Sequence, residues 1–316
     1  MDPLTHTMTG AVLARAGGDR LTPLATATLI LGANAPDIDI YTVWTASSFG
    51  SIAFRRGWTH GPIFLALLPV LITGLIVLWD GAVRRRRDPS LAPVRPGAVF
   101  ALALLGTLSH PLLDWLNTYG IRFLMPFSQT WFAGDAVFII DPYWWLLLGA
   151  TLLLAKRGQP LPTVQVAAAV AFAYPALLVL LSGVAHRAVR AEADRRGLRE
   201  VRDIVYQPQP LRPLAAEVIV ATPAGYSLGR FDWFGPTRVQ LGDTVIARGP
   251  WDAPVVQRAM QDPDVRDYLV WARFAWVRID TTATGEPVAV VFGDARFPEG
   301  GLAGGLGGLR VPVIGE

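Results

Sequence analysis

The chain has 316 residues, 52% of them hydrophobic and only 17% charged, with a net charge of +3 and no cysteine. Soluble domains carry about 25% charged residues, so a wholly water-soluble protein is excluded, as are disulfides and thiolate metal ligands. The basic residues cluster beside apolar runs, notably Arg84 to Arg87; that pattern marks membrane topology, whereas a nucleic-acid site needs a basic face with stacking aromatics.

Residues 2 to 16 read as a short helix, capped by Asp2, with Pro3 in its first turn and His6 one turn in. They lack the basic flank and continuous apolar core of a secretory signal, so the first long hydrophobic segments are expected to direct insertion. Arg15 to Arg20 make a polar turn. Leu21 to Pro36 is a second apolar segment, short against the ~20 residues of a full span. Two helices joined by a tight turn lie antiparallel, which returns His6 to the end that carries Pro36-Asp37-Ile38-Asp39. Residues 40 to 59 read as a polar and aromatic loop. From Gly57 to Trp79 there is no Asp, Glu, Lys or Arg, so Gly61 to Trp79 is expected to cross the bilayer, stopping at Asp80 and Arg84 to Arg87. The positive-inside rule places that arginine loop in the cytoplasm and His60 on the outer side. Pro96 to Asn117 returns outward and carries His110 ~20 Å along its length. Residues 118 to 140 form an aromatic loop, Asp141-Pro142 opens a helix to Ala155, and Gly158 to His186 is the last uncharged run.

Beyond it the pattern changes. A charged linker helix is expected over residues 187 to 203. Ala216 to Ala221, Thr237 to Ala247, Phe274 to Asp280 and Pro287 to Phe292 then read as strands, Val255 to Trp271 as a helix, and the Gly-rich tail from Gly300 as loose. The fold expected is mainly α: a polytopic transmembrane helical bundle (1–186), the linker helix, and a small β-rich, α+β soluble domain (204–316).

Alternating spans bring His6, Asp37, Asp39, His60, His110, Asp114, Asp135 and Asp141 to one end of the bundle. Arg187, Arg190, Arg195 and Arg196 follow the final span on that same side, against the charge rule. His110 and Asp114 stand four positions apart inside an apolar run, so on a helix they share one face and can grip one ion; the alternative is a helix end emerging into water. Pro111 between them removes a backbone donor and can kink the helix. Histidine with carboxylate suits zinc, and manganese or iron also fit. The candidate ligands exceed what one tetrahedral ion needs, so one or two ions are expected. The metal set is His6, Asp37, Asp39, His60, His110 and Asp114, with Asp141 either an additional ligand or a helix cap. Asp39, Asp114 and Asp135 are the carboxylates expected to take part in catalysis. Arg55 and Arg56 either bind a headgroup or substrate phosphate or serve topology. His186 and the tryptophans near helix ends read as interfacial.

Thr5-His6 with Gly10, Pro36-Asp37-Ile38-Asp39, Arg56-Gly57-Trp58-Thr59-His60, and Ser109-His110-Pro111-Leu112-Leu113-Asp114 followed by Tyr119-Gly120 resemble the YdjM family of bacterial membrane-bound metal-dependent hydrolases. Pro126-Phe127-Ser128 and Asp141-Pro142 match its style. The resemblance covers roughly the first 190 residues, and the C-terminal domain departs from it. The family is thought to be distantly similar to zinc-dependent phospholipase C, and His110 with Asp114 fits the His-xxx-Asp ligand element found there. What the resemblance implies is a hydrolase of the inner membrane acting on a phospholipid or another phosphoester, with membrane lipid as surroundings and substrate. Two rivals stand beside it: a non-catalytic membrane binding or regulatory protein with a structural metal, and a metal-dependent amidase or protease, although no His-Glu-x-x-His is present.

Overall fold

The computed structural model describes residues 1–297 and 307–313. The chain divides into two units: Met1–Asp39 with Arg56–Ser182, and Ile40–Arg55 with Gly183–Glu316.

In the first unit, α1 (Pro3–Arg15) begins on Asp2, whose carboxylate accepts the Thr5 amide, with Pro3 in the first turn, where its missing N–H costs nothing. A polar turn leads to α2 (Ala25–Asn34), which packs antiparallel on α1 and runs into a 3₁₀ stretch, Ala35–Tyr41. In the second unit, α3 (Thr42–Thr45) and α4 (Ser48–Phe54) follow. Back in the first, α5 (Pro62–Trp79) and α7 (Pro96–Trp115) form the central hairpin, packed through Ile72, Ile76, Val99 and Ala103. Its turn is closed by Asp80, which takes ion pairs from Arg84 and from Arg85 at 2.9 Å and the Val94 amide at 3.1 Å; the short α6 (Arg85–Arg87) lies in this turn.

An aromatic loop, pinned by an Ile121–Phe132 bridge, precedes α8 (Pro142–Lys156) and α9 (Leu161–Arg195). Along α9, Gln165 reaches the Ala16 carbonyl at the far end of α1, the Tyr174 hydroxyl donates to Asp141, and the Ser182 hydroxyl donates to the Asp135 carbonyl. Among the described residues, three helices are long and apolar enough to cross a membrane: Pro62–Arg87, Pro96–Trp115 and Leu161–Arg195. At 15 residues, α8 covers ~22 Å, less than a hydrocarbon core of ~30 Å.

In the second unit an antiparallel sheet of order β1-β2-β3-β4 (Asp203–Gln209, Arg212–Ala221, Gly225–Asp232, Val239–Ala247) meets a second, β5-β6-β7 (Ala275–Thr281, Pro287–Asp294, Leu309–Pro312). Strand alternation separates the two faces of the first sheet. Ile204, Tyr206, Val218 and Val220 bury against Ala185, Val189 and Ala193 of α9, while Val205, Ile219 and Tyr226 bury against Phe274, Trp276 and Val291 of the second sheet. Beside that contact the sheets part around a cleft of about 860 Å³ lined by Ile219, Leu228, Ile246, Trp276 and Phe297.

The architecture is the expected one, a helical membrane portion followed by an α+β domain, with differences in detail. Residues 187–195 continue α9 instead of forming a separate linker helix, and the boundary placed at 186 falls inside it. The expected loop at 40–59 contains α3 and α4, and α4 packs in the C-terminal unit: Ser47 donates to Asp264 at 2.6 Å and Phe49 meets the Tyr268 ring edge-on. The helix read over 255–271 is two, α10 (Pro254–Ala259) and α11 (Pro263–Trp271), because Pro263 starts a new one. Of the tail expected to be loose, 309–312 form β7; residues 300–306 and 314–316 of it lie outside the described residues.

Candidate metal centre

The site is built where α2 and α7 approach unusually closely. A methyl group on Gly32 would come within 2.8 Å of the Ala103 carbonyl oxygen, and one on Gly106 within 2.8 Å of the Leu29 carbonyl oxygen. Backbone faces backbone, so neither position tolerates a side chain without moving a helix. This approach lets the Ala33 carbonyl at the end of α2 reach His110 Nδ1 at 2.6 Å. A carbonyl only accepts, so Nδ1 carries the proton and Nε2 of the neutral ring is a bare lone pair. Asp114 stands one turn on, on the same face of α7.

His60 ends a short 3₁₀ turn, Trp58–His60, just before Pro62 opens α5. Thr59 Oγ1 donates its single hydrogen to Asp39 Oδ2 at 2.9 Å, so toward His60 Nδ1, also at 2.9 Å, it accepts. His60 Nε2 is therefore bare as well. Burial first, then neighbouring His110, holds this imidazole well below its ordinary pKa. Its neutral, ligating form is favoured.

The two bare nitrogens face each other at 3.1 Å. Asp37 Oδ1 lies 3.6 Å from His110 Nε2 and 3.9 Å from His60 Nε2, and Asp114 Oδ2 lies 3.6 and 3.5 Å from the same atoms. Each of the four residues offers one such atom, and all lie within 4.8 Å of one another. Asp114 Oδ2 is buried, with Arg56 Nε 3.0 Å away but making no hydrogen bond to it. Four electron-rich atoms thus converge with no proton between them, an arrangement that repels itself unless a cation sits among them. For two nitrogens ~2.05 Å from one tetrahedral zinc, the separation is about 3.3 Å, close to the 3.1 Å found. The residues fit a metal ion. Asp37 is the partly exposed member, with the other three buried, so the opening is on its side.

The remaining sequence candidates fall around this group. The His6 ring stacks on His110 at 3.8 Å, and its Nε2 lies 3.3 Å from Asp114 Oδ1, outside the group of four. The Met1 amine lies against the same oxygen. Asp39 lies behind His60, on the Nδ1 side: its Oδ2 accepts from Thr59 and from the Arg56 amide at 2.9 Å and stands 3.5 Å from His60 Nδ1. Asp135 is buried, with left-handed backbone, and its carbonyl takes the Ser182 hydroxyl; it does not belong to the group. Asp141 caps α8, accepting the Trp144 amide at 3.0 Å and the Tyr174 hydroxyl at 2.9 Å. Arg55 ends α4 in the other unit. Arg56 is buried against Asp114, with Nε 3.0 Å from Oδ2 and Nη2 3.1 Å from Oδ1. His186 contacts the Ile204 carbonyl in the C-terminal unit. Three contributors were not anticipated. Ala33 acts through its backbone and leaves no sequence signal; Asn117, which accepts from Arg56, and Thr59, beside His60, lie within the quoted motifs.

A family model matches residues 1–189, that of the YdjM inner membrane protein. No curated protein and no solved structure gives a significant match. The chain belongs to the YdjM inner membrane protein family.

Proposed function

For a member of that family with this group of ligands, we propose a membrane-bound, metal-dependent hydrolase that cleaves a phospholipid or another phosphoester. The observation that carries this reading is the pair of bare imidazole nitrogens, 3.1 Å apart, enclosed by two carboxylates. Asp37, His60, His110 and Asp114 would hold the ion, and two nitrogens with two oxygens suit zinc best. A bound divalent ion supplies Lewis acidity and brings water into reach of deprotonation near neutral pH. The chain does the rest. Thr59 with Asp39, and the Ala33 carbonyl, fix the two rings and their tautomers. Arg56 fixes Asp114. Asp37, at the opening, takes the proton from the attacking water.

By alternation of spans the site faces the outer side of the membrane, opposite the arginine turn. The test is turnover. Purified, metal-loaded protein is assayed on phospholipids by mass spectrometry and on chromogenic phosphoesters. Hydrolysis abolished by a chelator and restored by zinc is expected. Peptide or amide cleavage instead would move the chemistry to another bond, and bound metal with no turnover would make the ion structural.

A further inference from the structure

Resting on that metal-site reading, we infer that the centre holds a single divalent ion, and that the Arg56 guanidinium stands where a paired-metal hydrolase keeps its second cation. Two-ion centres hold their ions about 3.5–4 Å apart, a distance one carboxylate spans with an oxygen toward each, and the second ion needs further ligands. Asp114 is the residue placed to bridge. One of its oxygens faces the two bare nitrogens; the other faces Arg56 Nη2 at 3.1 Å, with His6 Nε2 at 3.3 Å. The guanidinium spans both oxygens, since Nε lies 3.0 Å from Oδ2. It is buried and held from every side. Its Nη1 donates to Asn117 Oδ1 at 3.1 Å and to the Gly120 carbonyl at 3.3 Å, and its plane lies 4.6 Å from the centre of the Tyr119 ring. The carboxylates that would serve a second ion are engaged elsewhere: Asp39 behind His60 and Asp141 on the first turn of α8.

A second divalent ion would add positive charge to a buried site that already holds the Arg56 guanidinium and the Met1 amine against Asp114, which is costly. Arginine suits the role because its guanidinium keeps its charge when buried and can donate to one carboxylate oxygen while pairing with the other.

The test is stoichiometry. The full chain in detergent is loaded separately with zinc and with manganese, freed of loose metal, and measured by elemental analysis and native mass spectrometry. One ion per chain is expected. Two ions per chain overturn the inference while leaving the metal-site reading intact, and none overturns both. In Arg56→Met that carboxylate oxygen keeps only the Met1 amine and His6 beside it, and the count is expected to rise to two; a count still at one overturns the part given to Arg56. Arg56→Lys keeps the charge and is expected to stay at one, and two ions there overturn the inference even if Arg56→Met does not fold.

Discussion

At the scale of single residues, the chemistry of the centre is decided by which nitrogen of each ring carries a proton. The ligands themselves supply only half of that. Thr59 and Asp39 set His60, and a backbone carbonyl sets His110. Outer partners of this kind typically contribute 10–100-fold to metal affinity. Thr59→Val keeps the shape of the side chain but leaves His60 Nδ1 without its hydroxyl partner. It is expected to weaken zinc binding by roughly 10–100-fold with little change in fold, read by competition against a zinc-sensitive dye. Unchanged affinity would remove the tautomer argument. His110→Ala takes away a ligand outright and is expected to lose both the bound ion and hydrolysis, read by elemental analysis beside the phosphoester assay. Asp135→Asn, whose residue lies outside the group, is expected to keep its ion.

At the scale of elements, the His-xxx-Asp pair depends on how far apart two helices are held. Gly32 and Gly106 face each other's helix backbone, and a side chain at either forces α2 and α7 apart. Gly106→Val is expected to cost about 1–3 kcal/mol as an overpacked contact and to draw the Ala33 carbonyl away from His110, so that thermal stability and zinc affinity fall together. Gly74, on α5, has nothing within 4 Å of an added methyl, and Gly74→Val is the control expected to change neither. A similar constraint lies beside His60, where a methyl on Gly61 would come within 2.0 Å of the Met125 carbonyl oxygen. This is also where sequence reading stops. Charge-free runs announce α5, α7 and α9, and the spacing of His110 and Asp114 announces their shared face. The union of α4 with α11 across more than two hundred residues has no periodic signature, because its contacts are single polar and aromatic pairs such as Ser47 with Asp264. The strands β1 and β3 also escaped notice. Gln207, Pro208 and Gln209 make β1 look like a linker, and Gly225 and Gly229 make β3 look like a turn, and burial of three successive residues in each, Ile204 to Tyr206 and Gly225 to Ser227, gives no period-two pattern. Spacing places Asp39, Asp135 and Asp141 at the same end of the bundle as Asp37 and Asp114 but does not report which way a side chain turns, and of the two readings of Asp141 the structure shows the helix cap.

At the scale of the whole molecule, topology turns on the shortest of the apolar helices. If α8 did not cross, the three long helices alone would put the end of α9 on the cytoplasmic side, where Arg187, Arg190, Arg195 and Arg196 would satisfy the charge rule. The contacts of α9 favour the other arrangement. It starts beside the Ala16 end of α1 and passes Asp141 at the start of α8. At Ser182 it reaches Asp135, on the loop that follows α7 and its ligands. So α9 runs back antiparallel along α8, and α8 packs on α1, as where Trp145 donates to Thr5. The absence of native cysteine makes this directly measurable, because every introduced thiol is the sole one. In intact cells a membrane-impermeant maleimide is expected to label Thr130→Cys and Thr244→Cys and to leave Arg86→Cys unlabelled until the cells are opened. Labelling of Thr130→Cys with Thr244→Cys protected would show that α8 does not cross and would let the late arginines decide the sidedness of the C-terminal domain. Labelling of Arg86→Cys alone would invert the whole bundle and put the metal centre on the cytoplasmic face, where a different pool of phosphoesters would meet it.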